Sequence, residues 1–425
     1  MIALILVLSL QADPLIEKVE RVAGDVNRPL LWTPLRITLS SASGYSGDVA
    51  ARSEFGFSTA KEVRLAAGGR ATLLLPAIDP KEVVAGKSVH KMSRDFVRPD
   101  HVVLVDAASP AAAELASTPQ VLIQKISRDD LQALRPRGLL EVADLILTKE
   151  TKEEAEQAIA ALGEPPAALE AVDRALWPLS PRDGWVPTKR DWTLFFATVY
   201  AFSAFVALAV LARRYPKFGL VCIAAVALLG MAGYGLLFPR SQVWAVGERA
   251  EVRNPGGETR EFRVWFVHAA TELATSMAFP ILVKPIFPTS GGTDEPFTIR
   301  VDDRGSRVEG LSLGPKRPAC FGGTESGTSA RADLDRAPLA LHAAVLVRGG
   351  QGKYLGDVPA GTPIPATADG ESPAHRSPGY DAWSRFVGKD GLYGRVGLET
   401  TVSKDLSPNL ADERERPKSF ILRLK

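Results

Sequence analysis

The sequence predicts a multidomain membrane protein, built from an N-terminal β-sandwich, a small α/β domain, a two-helix transmembrane hairpin and a C-terminal β-rich domain. Three observations predict it. Residues 192–238 hold two long apolar runs separated by a cationic turn. The segments on either side alternate apolar and polar residues with a period of two, the mark of half-buried strands. From His101 the pattern changes to short apolar runs alternating with amphipathic ones, which implies a parallel α/β sheet.

The expected divisions are a signal peptide at 1–12, a β-sandwich at 13–98, an α/β domain at 99–175, a linker at 176–191, two transmembrane helices within 192–238, and a β-rich domain at 239–425. The run Met1–Leu10 is too short to span a bilayer. Followed by Gln11, Ala12 and Asp13, it reads as a secretory signal cleaved after Ala12, although no Lys or Arg precedes it and Leu10 stands where a small residue is preferred. A buried first strand is the alternative.

In 13–98, Leu35, Ile37 and Leu39 alternate with Arg36 and Thr38, Phe55 and Phe57 flank Gly56, and Ala71, Leu73 and Leu75 end a strand before Pro76. Ser43-Gly44 and Gly68-Gly69 supply turns. This is the pattern of an immunoglobulin-like module, a class that binds or spaces. In 99–175, His101–Val105 reads as a buried strand, Pro110–Ala116 as a helix, Val121–Ile126 and Leu145–Leu147 as strands, and Lys152–Leu162 as a helix stopped by Gly163 and Pro165. The linker carries Pro178, Pro181 and Pro187 with Trp177 and Trp185, so it predicts no long helix.

Trp192–Ala212 and Phe218–Phe238 hold no charged residue, and at 1.5 Å per residue each would extend roughly 32 Å, the thickness of a hydrocarbon core. Arg213, Arg214 and Lys217 make the turn. With the signal used, that turn faces the cytoplasm, and the expected location is the bacterial inner membrane with the large domains outside it. After 239, Arg260–Val267, Phe297–Val301, Leu341–Val347 and Ser419–Leu424 read as strands between glycine-rich turns.

No constellation for chemistry emerges, and the expected catalytic, cofactor and metal residues are none. Asp106, at the C-terminal end of the first α/β strand, is the one carboxylate in a position where such sheets place function. No Gly-x-Gly-x-x-Gly follows that strand, and no Gly-x-Ser-x-Gly offers a nucleophile. Gly352-Lys353 fails as a phosphate loop, with Val347 in place of the first glycine and Tyr354 in place of Ser or Thr. His90, His101, His268, His342 and His375 are scattered, and the adjacent pairs Asp129-Asp130 and Asp302-Asp303 point apart or into solvent. The two cysteines, Cys222 and Cys320, make no disulfide framework. A net charge of +2 with no basic stripe gives no reason to expect nucleic acid.

The order of parts, with the stretch from Tyr200 to Lys217, resembles bacterial envelope proteins that carry a glutamine-amidotransferase-like domain and are encoded beside MoxR-type ATPases and BatA-like proteins with von Willebrand domains. The α/β segment is shorter than a full amidotransferase-like domain and lacks its nucleophilic cysteine, so the resemblance implies no enzymatic activity. The resulting expectation is a membrane-anchored, non-enzymatic protein of two spans that scaffolds envelope partners. The alternatives are an extracytoplasmic enzyme centred on Asp106, or a cytosolic-domain sensor anchored in reverse.

Overall fold

The computed structural model describes residues 14–24, 26, 31–93, 99–162 and 199–206. It also describes 243–424 except 255–257, 270–271, 287–294, 303–304, 315–317, 329–334, 350, 369–389, 398–400, 403–405, 407–411 and 416–417. The expected signal at 1–12 and linker at 176–191 lie outside the described residues.

The described residues are mostly β, and the two-span hairpin needs correction. Among the described residues no helix is long and apolar enough to cross a membrane. Of 192–238 only residues 199–206 are described, and they are helical. The transmembrane hairpin, the membrane as partner and the inner-membrane location derived from it are therefore withdrawn. The remaining residues of 192–238 lie outside the described ones.

The first strands among the described residues are β1 (Leu15–Arg21), β2 (Trp32–Ser41), β3 (Tyr45–Ser53), β4 (Ser58–Leu65), β5 (Gly69–Ile78), β6 (Pro80–Ala85) and β7 (Ser88–Lys91). Strands β1, β2 and β5 form one antiparallel sheet, and β4, β3, β6 and β7 pair in a second. The alternation in β2 puts Leu35, Ile37 and Leu39 inward, where they meet Val49, Ala51, Val83 and Ala85 of the second sheet. Two sheets thus bury one apolar face each, while Arg36 and Thr38 face the other way.

The α/β segment follows as β8 (His101–Asp106), a 3-10 turn (Pro110–Ala113), β9 (Val121–Ile126), α1 (Arg128–Leu134), β10 (Leu145–Leu147) and α2 (Lys152–Ala160). Its three strands run parallel in the order β10-β8-β9. Strand β8 is central and buried on both faces, which its unbroken apolar run requires. Val103 and Val105 pack under Ala111, Ala112 and Ala155 of the covering helices. Val102 and Leu104 face the opposite way into the largest core. Thr151 begins α2 with a capping box, its hydroxyl accepting from the Glu154 N–H while the Glu154 carboxylate accepts from the Thr151 N–H.

The remaining strands are β11 (Val243–Arg253), β12 (Glu258–Ala269), β13 (Leu273–Phe279), β14 (Lys284–Pro285), β15 (Thr298–Val301), β16 (Ser306–Leu313) and β17 (Ala319–Thr328). After them come β18 (Leu341–Arg348), β19 (Gln351–Val358), β20 (Gly391–Val396), β21 (Thr401–Val402), β22 (Asp412–Glu415) and β23 (Lys418–Arg423). Most join a ten-stranded sheet with the path β14-β17-β12-β11-β23-β20-β18-β19.

The exceptions matter most. Strands β13, β16 and β15 extend the second sheet of the sandwich, because β15 pairs in parallel with β4, Thr298 to Arg300 against Ser58 to Ala60. Residues before 163 and after 242 therefore build one sheet together.

They also build one core. Phe57 of the sandwich stacks on Phe297 at 5.3 Å, Phe297 meets Phe321 edge-on at 6.1 Å, and Phe279 lies 5.3 Å from both Phe321 and Trp265. Trp32, Leu104, Leu131 and Leu140 complete it from the N-terminal side. Each such buried side chain contributes about 1.5–3 kcal/mol of burial. Polar ties cross the same junction. Arg300 donates to both Asp48 oxygens at 2.6 and 2.9 Å, and Lys284 Nζ donates to Glu141 at 2.6 Å.

Candidate functional site

The position that sequence reasoning singled out lies at the C-terminal ends of the parallel strands. Asp106 ends β8 and is 2% exposed. Its Oδ1 accepts the Ala108 N–H at 2.9 Å, and its Oδ2 accepts Arg128 Nε at 3.1 Å. The Ser109 N–H donates to the Asp106 carbonyl at 2.8 Å, so the residue folds back on the chain that leaves it and starts the 3-10 turn. The Ala108 N–H, helped by the Arg128 guanidinium, outweighs burial and holds the carboxyl below the usual carboxylate range.

Its surroundings are equally occupied. Ser109 is buried, and its hydroxyl donates to the Glu150 carbonyl at 3.3 Å. Ser127 caps α1, its hydroxyl accepting the Asp130 N–H at 3.2 Å. Asp130 is buried beneath it and paired with Arg36 of β2, which ties the α/β sheet to the sandwich. Burial opposes the charge on Asp130, but hydrogen bonds from Arg36 and Ser127 prevail and lower its pKa. A general base needs an accessible lone pair, and a general acid needs a proton at working pH. Asp106 is ionised, buried and engaged at both oxygens, so the arrangement is a brace.

The other sequence candidates are not brought together. Asp129 is exposed while Asp130 is buried, so that pair splits. Asp302 accepts the Gly305 N–H at 2.5 Å in a turn, and Asp303 lies outside the described residues. His101 stands 3.6 Å from Asp144, His268 stacks on Trp244 at 5.9 Å, and His342 lies 3.3 Å from Asp357. His90 lies on β7, and His375 is outside the described residues. No group of three His, Cys, Asp or Glu side chains among the described residues could hold a metal. Cys320 is buried, and Cys222 is not described. Gly352 and Lys353 lie within β19, antiparallel to β18, and form no phosphate loop.

Sequence reasoning missed the partners that immobilise this region: Arg128, Arg36 and the Glu141–Lys284 pair. The readable signal was Ser127-x-x-Asp130, a helix-capping pattern that places an acidic residue in the first turn. It also missed a ladder of charge on the ten-stranded sheet. There Glu251 accepts from Arg253 at 2.7 Å and Lys418 at 2.5 Å, and Glu261 accepts from Arg263 at 2.8 Å. Burial, with the neighbouring Glu261 charge, pushes the Glu325 carboxyl upward against the pull of Arg263.

Some open sheet edges are blunted and one is not. Strands β1 and β19 carry a register shift, β13 pairs irregularly with β16, and β7 and β14 are short, whereas β5 is an edge strand of ten residues in regular register with β2. On β9, the Ser117 hydroxyl accepts the Ile123 N–H at 3.0 Å and donates to its carbonyl at 3.4 Å. Thr118 likewise accepts the Val121 N–H at 3.1 Å through its hydroxyl. The sequence matches no protein-family model and no curated protein.

Proposed function

We propose that this protein is a non-enzymatic binding scaffold, a rigid body that positions protein partners through its side-chain surfaces. The observation that carries the reading is the state of Asp106. The one carboxylate in a catalytic position is spent on the Ala108 N–H and Arg128, inside a region whose hydroxyls are likewise engaged. The α/β unit then acts as a keystone between the sandwich and the ten-stranded sheet, held by Arg36–Asp130 on one side and Glu141–Lys284 on the other. The likeness to amidotransferase-like proteins fits a unit that keeps an α/β sheet without a nucleophile.

The test pairs proximity labelling with one substitution. The full chain, fused to a labelling enzyme in its native cell, is expected to mark a reproducible set of proteins, and the Asp106→Asn variant at equal abundance is expected to mark the same set. No reproducible neighbour, or a cellular phenotype lost in a folded Asp106→Asn variant, would contradict the reading.

A further inference from the structure

Arg395 of β20 is a half-buried guanidinium that the fold leaves uncompensated. Its Nε is buried with no hydrogen-bond partner, and no carboxylate pairs with it among the described residues. Such a group is costly unless something accepts from it. The ladder places donors on both sides of it. His342 of β18 stands directly opposite on one strand, and Ser419 of β23 stands opposite on the other. Directly opposed residues share a face with Cβ atoms about 5 Å apart, so the three form a row across β18, β20 and β23. Tyr393 and Val345, the next cross-strand pair along that face, are buried and make the row's apolar flank.

The strand is shaped at this row. Strand β18 shifts register between His342 and Val345, and Ala343 takes a left-handed φ of 49°, unusual for a residue with a Cβ. Bulges of this kind re-aim side chains and occur beside functional sites. Asp357 of β19 fixes the bulge, accepting the Ala343 N–H at 3.3 Å with Oδ1, which also lies 3.3 Å from His342 Nδ1. The His342 Nδ1 is itself buried without a hydrogen bond. Arg395 Nε thus lacks an acceptor in a row where the backbone of the next strand departs from regular geometry.

We propose that Arg395, flanked by His342 and Ser419, is a binding site for a small tetrahedral oxyanion, phosphate or a phosphate monoester, gripped by the guanidinium edge. An oxyanion supplies what the row lacks: charge for Arg395 and several acceptor oxygens for the neighbouring donors. Asp357 engages the His342 side of the row, which leaves Arg395 as the cation the ligand would pair with.

The experiment uses the full chain and inorganic phosphate. Thermal unfolding is followed in phosphate and in chloride at matched ionic strength and pH, with glycerol phosphate as a third arm to separate the free ion from a monoester. Phosphate is expected to raise the midpoint of the native chain in a saturable way, and Arg395→Gln to abolish the rise. Lys353→Gln, which removes a cation of β19 outside the row, is expected to leave it intact. A larger rise with glycerol phosphate assigns a monoester, and a larger rise with inorganic phosphate assigns the free ion. If Arg395→Gln does not fold, Arg395→Lys carries the test, since it keeps the charge and loses the fork, and a right-shifted titration is then expected. No saturable rise in the native chain, an unchanged rise in the Arg395 variants, or loss of the rise in Lys353→Gln would overturn the proposal.

Discussion

Replacing Lys284 by Met tests the keystone role of the α/β unit in energetic terms. Lys284 lies on the two-residue strand β14, its side chain 13% exposed, and donates to Glu141 Oε2 at 2.6 Å; Glu141 is 16% exposed and receives the Thr324 hydroxyl on Oε1 at 3.0 Å. Glu141 sits among Leu139, Leu140 and Val142, all buried in the shared core. Removing the ammonium leaves a mostly buried carboxylate with one neutral donor. Breaking a fully buried pair costs about 3–5 kcal/mol. Residual exposure and the Thr324 hydroxyl reduce the expected loss to about 2–3 kcal/mol. In the double variant Glu141→Leu with Lys284→Met no charge remains to be desolvated, and most of that loss is expected to return, which gives a coupling energy of about 2 kcal/mol. Urea unfolding of the four proteins in the cycle reads this directly as shifts in midpoint at constant slope. A Lys284→Met variant within about 0.5 kcal/mol of the parent, or a double variant no better than the single ones, would refute the view that this junction is buried and tightly paired.

Three further outcomes are expected. Asp106 has a folded pKa below its unfolded value of about 3.9, so its contribution is complete above that value and is lost as pH falls through the folded one. The stability gap between the native chain and Asp106→Asn, followed by denaturant unfolding, is therefore expected to be constant from neutral pH to about pH 5 and to shrink below about pH 4. Arg36→Gln is expected to cost only about 1 kcal/mol, because Arg36 is 36% exposed and solvent screens its pair with Asp130; a midpoint shift in urea measures it. Gly138→Ala is expected to cost about 2–4 kcal/mol, because Gly138 has φ +67° and an added Cβ would lie 2.3 Å from the Thr324 carbonyl oxygen. Thermal unfolding no different from the parent would mean that this close approach does not exist.

Local periodicity revealed local structure. The alternation of Leu35, Ile37 and Leu39 identified an inward face, and the run from His101 to Val105 identified a strand buried on both sides. The helix read at Lys152–Leu162 is found as α2, Lys152–Ala160, although its capping box from Thr151 and Glu154 was not read in advance. What joins distant segments was not legible. The parallel pairing of β4 with β15 depends on two polar-apolar strands meeting across the whole intervening chain, and neither strand encodes its neighbour. The partners Arg36–Asp130 and Glu141–Lys284 were hidden for the same reason, since each is an ordinary charged residue until the fold opposes it to another. The apolar runs after Trp192 satisfied a length criterion for spanning helices, yet among the described residues no helix is long and apolar enough to cross a membrane. For Asp106 the strand-end position was readable, whereas its occupation by the Ala108 N–H and Arg128 was not, because Arg128 arrives from the start of a later helix.

The account rests on residues before 163 and after 242 forming one body with the α/β unit locked between them. A specific protease site inserted within 163–242 of the full chain, cleaved to completion, followed by size-exclusion chromatography in native buffer, tests this most directly. The shared sheet and the Phe57–Phe297–Phe321 core predict that both fragments elute together at the position of the uncut protein and separate only in denaturant. Two separately eluting folded fragments in native buffer would contradict it.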